Sequence, residues 1–134
     1  TGLVNAAMPH CVVVAADMPF LSAPLLMHLA SLAPGYDVVV PLVDGMLEPL
    51  HAVYGQTCLA AIERQLLNTD TSRIVSFFGD VRVRHVERAE MLVYDPDLLS
   101  LFNINTPEDL ERARRLLQQN GLDIESNDSG DEVR

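Results

Sequence analysis

The run Cys11-Val-Val-Val-Ala-Ala16, ended abruptly by Asp17, constrains the fold more than any other segment. It is apolar without alternation, which predicts a strand covered on both faces, as in the middle of a parallel sheet, rather than one with a solvated side. Asp17 should then emerge at the carboxyl end of that strand, with Pro19 stiffening the turn that holds it. Ligands of open α/β sheets sit beyond the carboxyl ends of the strands, so Asp17 is the first candidate for chemistry. A carboxylate at that place suits Mg2+, which takes one or two protein carboxylates and completes its octahedron with water and substrate phosphates. The alternative is that Asp17 only caps the turn before the next helix.

The rest of the chain alternates in the same manner. Leu3, Val4 and Ala7 share a side and predict the end of a helix over Thr1 to Met8, stopped before Pro9. Ser22 can cap a helix with Pro24 in its first turn and Leu25, Leu26, Leu29 and Leu32 at helical spacing, ended by Pro34-Gly35. Asp37 to Val43 predicts a second buried strand, followed by an Asp44-Gly45 turn and an extended piece from His51 to Tyr54. Gln56 to Asn68 predicts a helix, Arg73 to Phe78 a shorter one, and Val81 to Val86 a partly exposed strand. The last helix has the clearest start, because Thr106 can cap it, Pro107 fits its first position and Asp109 stands where a capping-box acid belongs. Strands and helices alternating over short connections predict an α/β fold with a mostly parallel sheet.

At 134 residues the chain is long enough for one core, expected over residues 1–121. Asp123 to Glu132 holds five acids and no base, so 122–134 reads as an acidic disordered tail. A net charge of −10 excludes ordinary nucleic-acid binding, which needs a basic patch. No apolar stretch approaches the roughly 18–20 residues that span a bilayer, and no export signal opens the chain. The expectation is a soluble cytoplasmic domain. Cys11 and Cys58 have neither disulfide nor metal spacing and read as small core residues.

Three further groups could meet a ligand. His51 follows the stiff Glu48-Pro-Leu and could contact a ligand or handle a proton, although a lone histidine is more often structural. Asn103 and Asn105 stand at alternate positions of an extended segment and so project to one side, offering mixed donors and acceptors of the kind a pterin or purine edge needs; the alternative is that they satisfy backbone groups. Arg73, after a polar turn, could meet a phosphate or be an ordinary surface arginine.

Taken in order, Ala15-Ala-Asp-Met-Pro-Phe-Leu21, Glu48-Pro-Leu-His-Ala-Val-Tyr54 and Phe102-Asn-Ile-Asn-Thr-Pro-Glu-Asp-Leu110 resemble the later motifs of molybdenum cofactor guanylyltransferases, over residues 1 to about 117. The last motif is the most specific. The resemblance implies a Rossmann-like three-layer α/β/α nucleotidyltransferase fold and transfer of GMP from GTP to the phosphate of molybdopterin, with Mg2+ required and pyrophosphate released. It implies Asp17 as the Mg2+ ligand and catalytic residue, Asn103, Asn105 and Arg73 on the pterin side of the cleft, and His51 near the same cleft. Two departures stand out. Those proteins begin with a strand and a glycine-rich, basic phosphate loop that this sequence does not contain, and they often carry Cys where Ala16 stands. The resemblance is thus to an amino-terminally truncated form, expected to be inactive alone and to expose sheet edges that favour a homo-oligomer or a partner chain. A cytidylyl or other nucleotide transfer on the same fold, a receiver domain phosphorylated on Asp17, and a non-catalytic molybdopterin- or partner-binding module are the rival readings.

Overall fold

The computed structural model describes residues 3–67 and 74–120, and the chain divides into two compact units, 1–102 and 103–134. The first contains β1 (His10–Val14), α1 (Ala23–Ser31), β2 (Val38–Val43), β3 (Met46–Leu47), β4 (His51–Gly55), α2 (Leu59–Leu67), β5 (Val83–Glu87) and the single turn α3 (Arg88–Met91). The second contains α4 (Pro107–Gln119). Short 3-10 segments cover Gln56–Cys58, Ile74–Asp80 and Leu99–Leu101.

The α/β class is as expected, but the sheet is mixed rather than mostly parallel. Its order is β1-β4-β2-β3, with β5 also on β2. Among the described residues only the β2–β5 pairing is parallel; β1–β4, β2–β4 and β2–β3 are antiparallel. The cause is the tight Asp44-Gly45 turn, where both residues have positive φ (51° and 78°) and the chain folds straight back. The returning β4 inserts between β1 and β2, so β1, β2 and β5 still point the same way and their carboxyl ends share one edge.

Pleat alternation builds two cores. Val39 and Val53 face Leu25 and Leu29 of α1, Val86 and Met91. Val38, Val40, Ala52 and Tyr54 face the other way, onto Cys58, Ala61 and Phe77. Helices thus cover both faces and the unit has three layers. His28 of α1 meets Glu90 of α3 at 2.8 Å, and Arg84 of β5 reaches both Glu90 oxygens at 3.1 Å, joining three elements on one face. Burial pushes the Glu90 pKa up, but the His28 bond and the Arg84 charge outweigh it and hold it below its ordinary value.

Two other expectations are corrected. Residues 3–8 form a turn closed by a 3.4 Å bond from Ala6 N–H to Leu3 O, not the end of a helix. β1 is an edge strand among the described residues, and Val12 and Val14 are 45% and 36% exposed on the α1 side, so it is not covered on both faces.

Asp37, at the entrance to β2, is the main polar anchor. Its carboxylate accepts from Thr57 Oγ1 at 2.6 Å and from the Arg82 backbone N–H at 2.8 Å, and is 9% exposed. The Thr57 bond, followed by the Arg82 N–H, holds its pKa below the ordinary 3.8 despite burial. Its stabilising contribution is therefore complete above pH 3.8 and lost as pH falls through the lower folded value. Asp37→Asn, which cannot accept both bonds without presenting its amide to a donor, is expected to cost about 2 kcal/mol at pH 7, as charged hydrogen bonds do. Urea unfolding at pH 7 and pH 3 checks this: the gap between the two chains should narrow at the lower pH.

In the second unit, Thr106 Oγ1 accepts from Asp109 N–H at 3.1 Å, and Asp109 Oδ2 accepts from the Thr106 N–H at 3.1 Å, which is the capping box read from the sequence.

Candidate functional site

β1 delivers Asp17 to the carboxyl edge of the sheet, and four contacts fix the turn that carries it. Ala15 N–H donates to Leu50 O at 2.8 Å, the Met18 side chain is buried, Phe20 packs edge-on against Phe102 with ring centroids 5.9 Å apart, and Ser22 Oγ donates to Tyr94 O at 3.4 Å. Between these pins Asp17 is half-buried and makes no hydrogen bond or ion pair among the described residues. Among the described residues, then, the Asp17 carboxylate has no structural partner, and the turn that carries it is held in place.

The β1–β4 register sets Val14 opposite His51, so His51 lies at the same edge. Its N–H donates to Glu48 O at 3.1 Å, closing the turn that begins β4, and Tyr54 Oη donates to Pro49 O at 2.6 Å to hold that turn from below. The ring itself is fully enclosed, with neither nitrogen hydrogen-bonded. Burial lowers its pKa below 6.5, partly offset by the Asp95 charge, which favours the neutral ring. Direct contact with a ligand, as the sequence suggested for His51, is not offered by a side chain with no exposed surface. Glu48 is half-buried beside it, and burial raises its pKa, so the edge carries a second carboxylate that pattern reading passed over.

The other candidates divide as follows. Asn103 and Asn105 belong to the second unit, where the Asn105 N–H donates to Asp109 Oδ2 at 3.1 Å and Asn103 Oδ1 has no hydrogen-bond partner among the described residues. Arg73 and the segment 121–134 lie outside the described residues. Cys58 is a core residue as expected, its thiol donating to Asp37 O at 3.0 Å and its pKa pushed up to about 11 by burial. No group of three or more His, Cys, Asp or Glu side chains that could hold a metal occurs among the described residues, so a metal at Asp17 would draw on at most two such ligands from them. That donor set fits Mg2+ held jointly with phosphates and does not fit a metal caged by protein alone. No helix among the described residues is long and apolar enough to cross a membrane.

Residues 1–89 match the family model of the MobA-like NTP transferase domain. The chain belongs to that family. MobA-like relatives include a molybdenum cofactor guanylyltransferase of Desulfosudis oleivorans, 36% identical over 118 residues, covering 87% of this chain and 58% of that protein. A probable molybdenum cofactor guanylyltransferase of Pelotomaculum thermopropionicum is 38% identical over 112 residues, covering 84% and 54%. The crystal structure of molybdopterin-guanine dinucleotide biosynthesis protein A from Archaeoglobus fulgidus superposes with a TM-score of 0.73 at 34% identity, over 82% of this chain and 56% of that one. This MobA-like chain thus spans a little over half the length of the relatives it matches.

Proposed function

We propose that this chain forms the metal-holding and acceptor-facing part of a guanylyltransferase acting in molybdenum cofactor biosynthesis. In the reaction an oxygen of the molybdopterin phosphate attacks the α-phosphorus of GTP, the bond to the β-phosphate oxygen breaks, and pyrophosphate leaves. The observation that carries this reading is Asp17, without a hydrogen-bond or ion-pair partner among the described residues, on a turn pinned at four points at the carboxyl edge of the sheet. Asp17 is the residue that would hold Mg2+, whose contribution is to neutralise charge on the phosphate oxygens. The work of the chain is positioning and a fixed negative charge. Asn103 and Asn105 are proposed to read the pterin edge, and Arg73 to meet a phosphate. GTP as a substrate supports a cytoplasmic location.

Calorimetric titration of the 134-residue chain with GTP and with CTP, each with and without Mg2+, tests the reading. Mg2+-dependent binding that favours GTP supports the metal-holding role and overturns the expectation that the chain is incomplete alone, whereas no binding would leave it the acceptor-facing part only. Equal binding of both nucleotides would move the chain to a cytidylyl or broader specificity, and Mg2+-independent binding would remove Asp17 from its role.

The outer edge of β1, which pairs with no strand among the described residues, together with the exposed Val12 and Val14, supports the expected homo-oligomer or partner chain, because an open, uncharged strand edge is a template for pairing. Sedimentation is expected to show concentration-dependent association; a strictly monomeric species across the accessible range would count against it.

A further inference from the structure

The β1–β4 register settles which main-chain groups of β1 remain open. Ala15 N–H donates to Leu50 O at 2.8 Å and Pro9 O accepts from Gln56 N–H at 2.8 Å, both continuing that register. Successive residues of a strand turn their N–H and C=O to opposite edges, so Pro9, Cys11, Val13 and Ala15 serve β4. His10, Val12 and Val14 present theirs to the outer edge, where no strand pairs among the described residues. The same residues bring apolar side chains into the open. Val13 packs against the core that holds Ala52 and Tyr54, whereas Val12 and Val14 stand on the α1 face with Val53 and are exposed.

Charge selects what can cover this edge. From Thr1 to Tyr36 the sole Asp, Glu, Lys or Arg is Asp17, although the whole chain holds 19 acids and 9 bases. Two copies that each carry a net charge of −10 repel one another unless they meet where neither is charged. The outer edge of β1 is such a place. A basic partner would be drawn instead to acidic surface, so an exposed, apolar, charge-free edge on an acidic protein fits a second copy. Antiparallel pairing of one strand with its own image is two-fold symmetric, and a single patch then serves both sides.

We propose that two copies of this chain join antiparallel through the outer edges of β1, with Val12 opposite Val12 of the partner subunit. In this register every outward residue of β1 meets an outward residue. Val12 faces its own image, and His10 and Val14 face Val14 of the partner subunit and His10 of the partner subunit. Each pair exchanges both of its N–H···O bonds, and the two Val12 side chains close over each other on the α1 face. The sheet then runs from one copy into the next. The carboxyl ends of the two β1 strands point apart, so the two Asp17 turns lie at opposite ends of the joint, each beside the start of the other copy's β1. This pairing gives the association expected of an open edge a defined geometry, and it rests on β1 alone and not on the role of Asp17. A strand pair of five residues is a small interface, below about 1,200 Å² in total, and the dissociation constant is expected in the micromolar range.

Sedimentation equilibrium of the 134-residue chain, with amide hydrogen exchange followed by NMR at the same concentrations, tests this pairing. The expected result is a monomer–dimer equilibrium in which the amides of His10, Val12 and Val14 exchange fast when dilute and slowly when concentrated. Those of Cys11, Val13 and Ala15 should be slow throughout, because β4 already holds them. Val12→Glu and Val12→Lys each set like charges against each other across the two-fold axis, and each should weaken the dimer about tenfold or more. An equal mixture of the two variants should restore it, since the facing charges are then opposite. A wild-type chain that is monomeric at every concentration, or an assembly larger than a dimer, overturns the proposal. So does a dimer in which the Val12 and Val14 amides stay fast, or variants that associate as the wild type does. A mixture no tighter than either variant alone overturns the register. If circular dichroism shows that either variant does not fold, the wild-type exchange pattern decides alone.

Discussion

Asp17→Asn is expected to lower the affinity of this chain for Mg2+-nucleotide by about 10–100-fold, the 1.5–3 kcal/mol that a charged contact supplies. In any assembly containing the chain that turns over GTP, the loss in rate should be larger, about 10²–10³-fold, because stabilising charge counts for more in the transition state than in the ground state. The substitution keeps shape and volume and removes one negative charge. Asp17 has no internal hydrogen bond or ion pair among the described residues, so its loss should shift folding stability by no more than about 0.5 kcal/mol, as for ordinary surface changes. Binding lost with stability kept is therefore the signature, read by calorimetry and thermal melting on the same samples. An unchanged affinity would return Asp17 to turn-capping, and a large drop in melting temperature would mean that its carboxylate supports the fold.

The second large effect concerns stability. Leu29→Ala is expected to cost about 2–5 kcal/mol, the range for emptying a well-packed leucine site. Leu29 has no exposed surface and stands in the cluster with Val39, Val53, Val86 and Met91, which joins α1 to three strands and to α3. Domains of this size have only about 5–15 kcal/mol in total, so this one change removes a substantial share. Thermal melting should show a fall of roughly 10–15 °C. Met27, on the same helix but 73% exposed, is the control, and Met27→Ala should stay within about 0.5 kcal/mol. Similar melting points for the two variants would mean that α1 is not docked as described.

Elements with strong local chemistry could be read from the sequence. Thr106, Pro107 and Asp109 specify the start of α4 without help from the remainder of the chain, and Ser22 does the same for α1, where its side chain accepts from Leu25 N–H at 3.3 Å. The extended character of β1, β2 and β4 was equally legible. Strand direction and neighbours were not, because an apolar run states that it wants burial and says nothing about which strand lies beside it. Val12 and Val14 show the difference: their composition belongs to an interior strand, and their exposure to an edge. β3 has two residues and α3 four, too few for any period to register.

The site divides along the same line. Asp17 was legible because a charge directly after an apolar strand marks its end, and the turn it sits on matches that reading. His51 was legible as a residue but not as an enclosed one, since nothing in Glu48-Pro-Leu-His51 tells that the ring turns inward. Asp95 and Ser100, five residues apart and buried together, left only the turn signal of Asp95-Pro96, which marks a bend and not a polar interior.

The insertion of β4 between β1 and β2 also dictates an order of assembly. Among the described residues β1 pairs with no strand except β4, which the chain reaches only after α1, β2 and β3. The strand carrying Asp17 is made before β4, and among the described residues it has no other strand to dock on. Its closure is a long-range contact whose loop entropy must be met first, which places it late in folding. The turn that carries Asp17 thus precedes in the chain the strand that fixes it, and a chain interrupted before β4 would carry Asp17 without the pairing that holds β1.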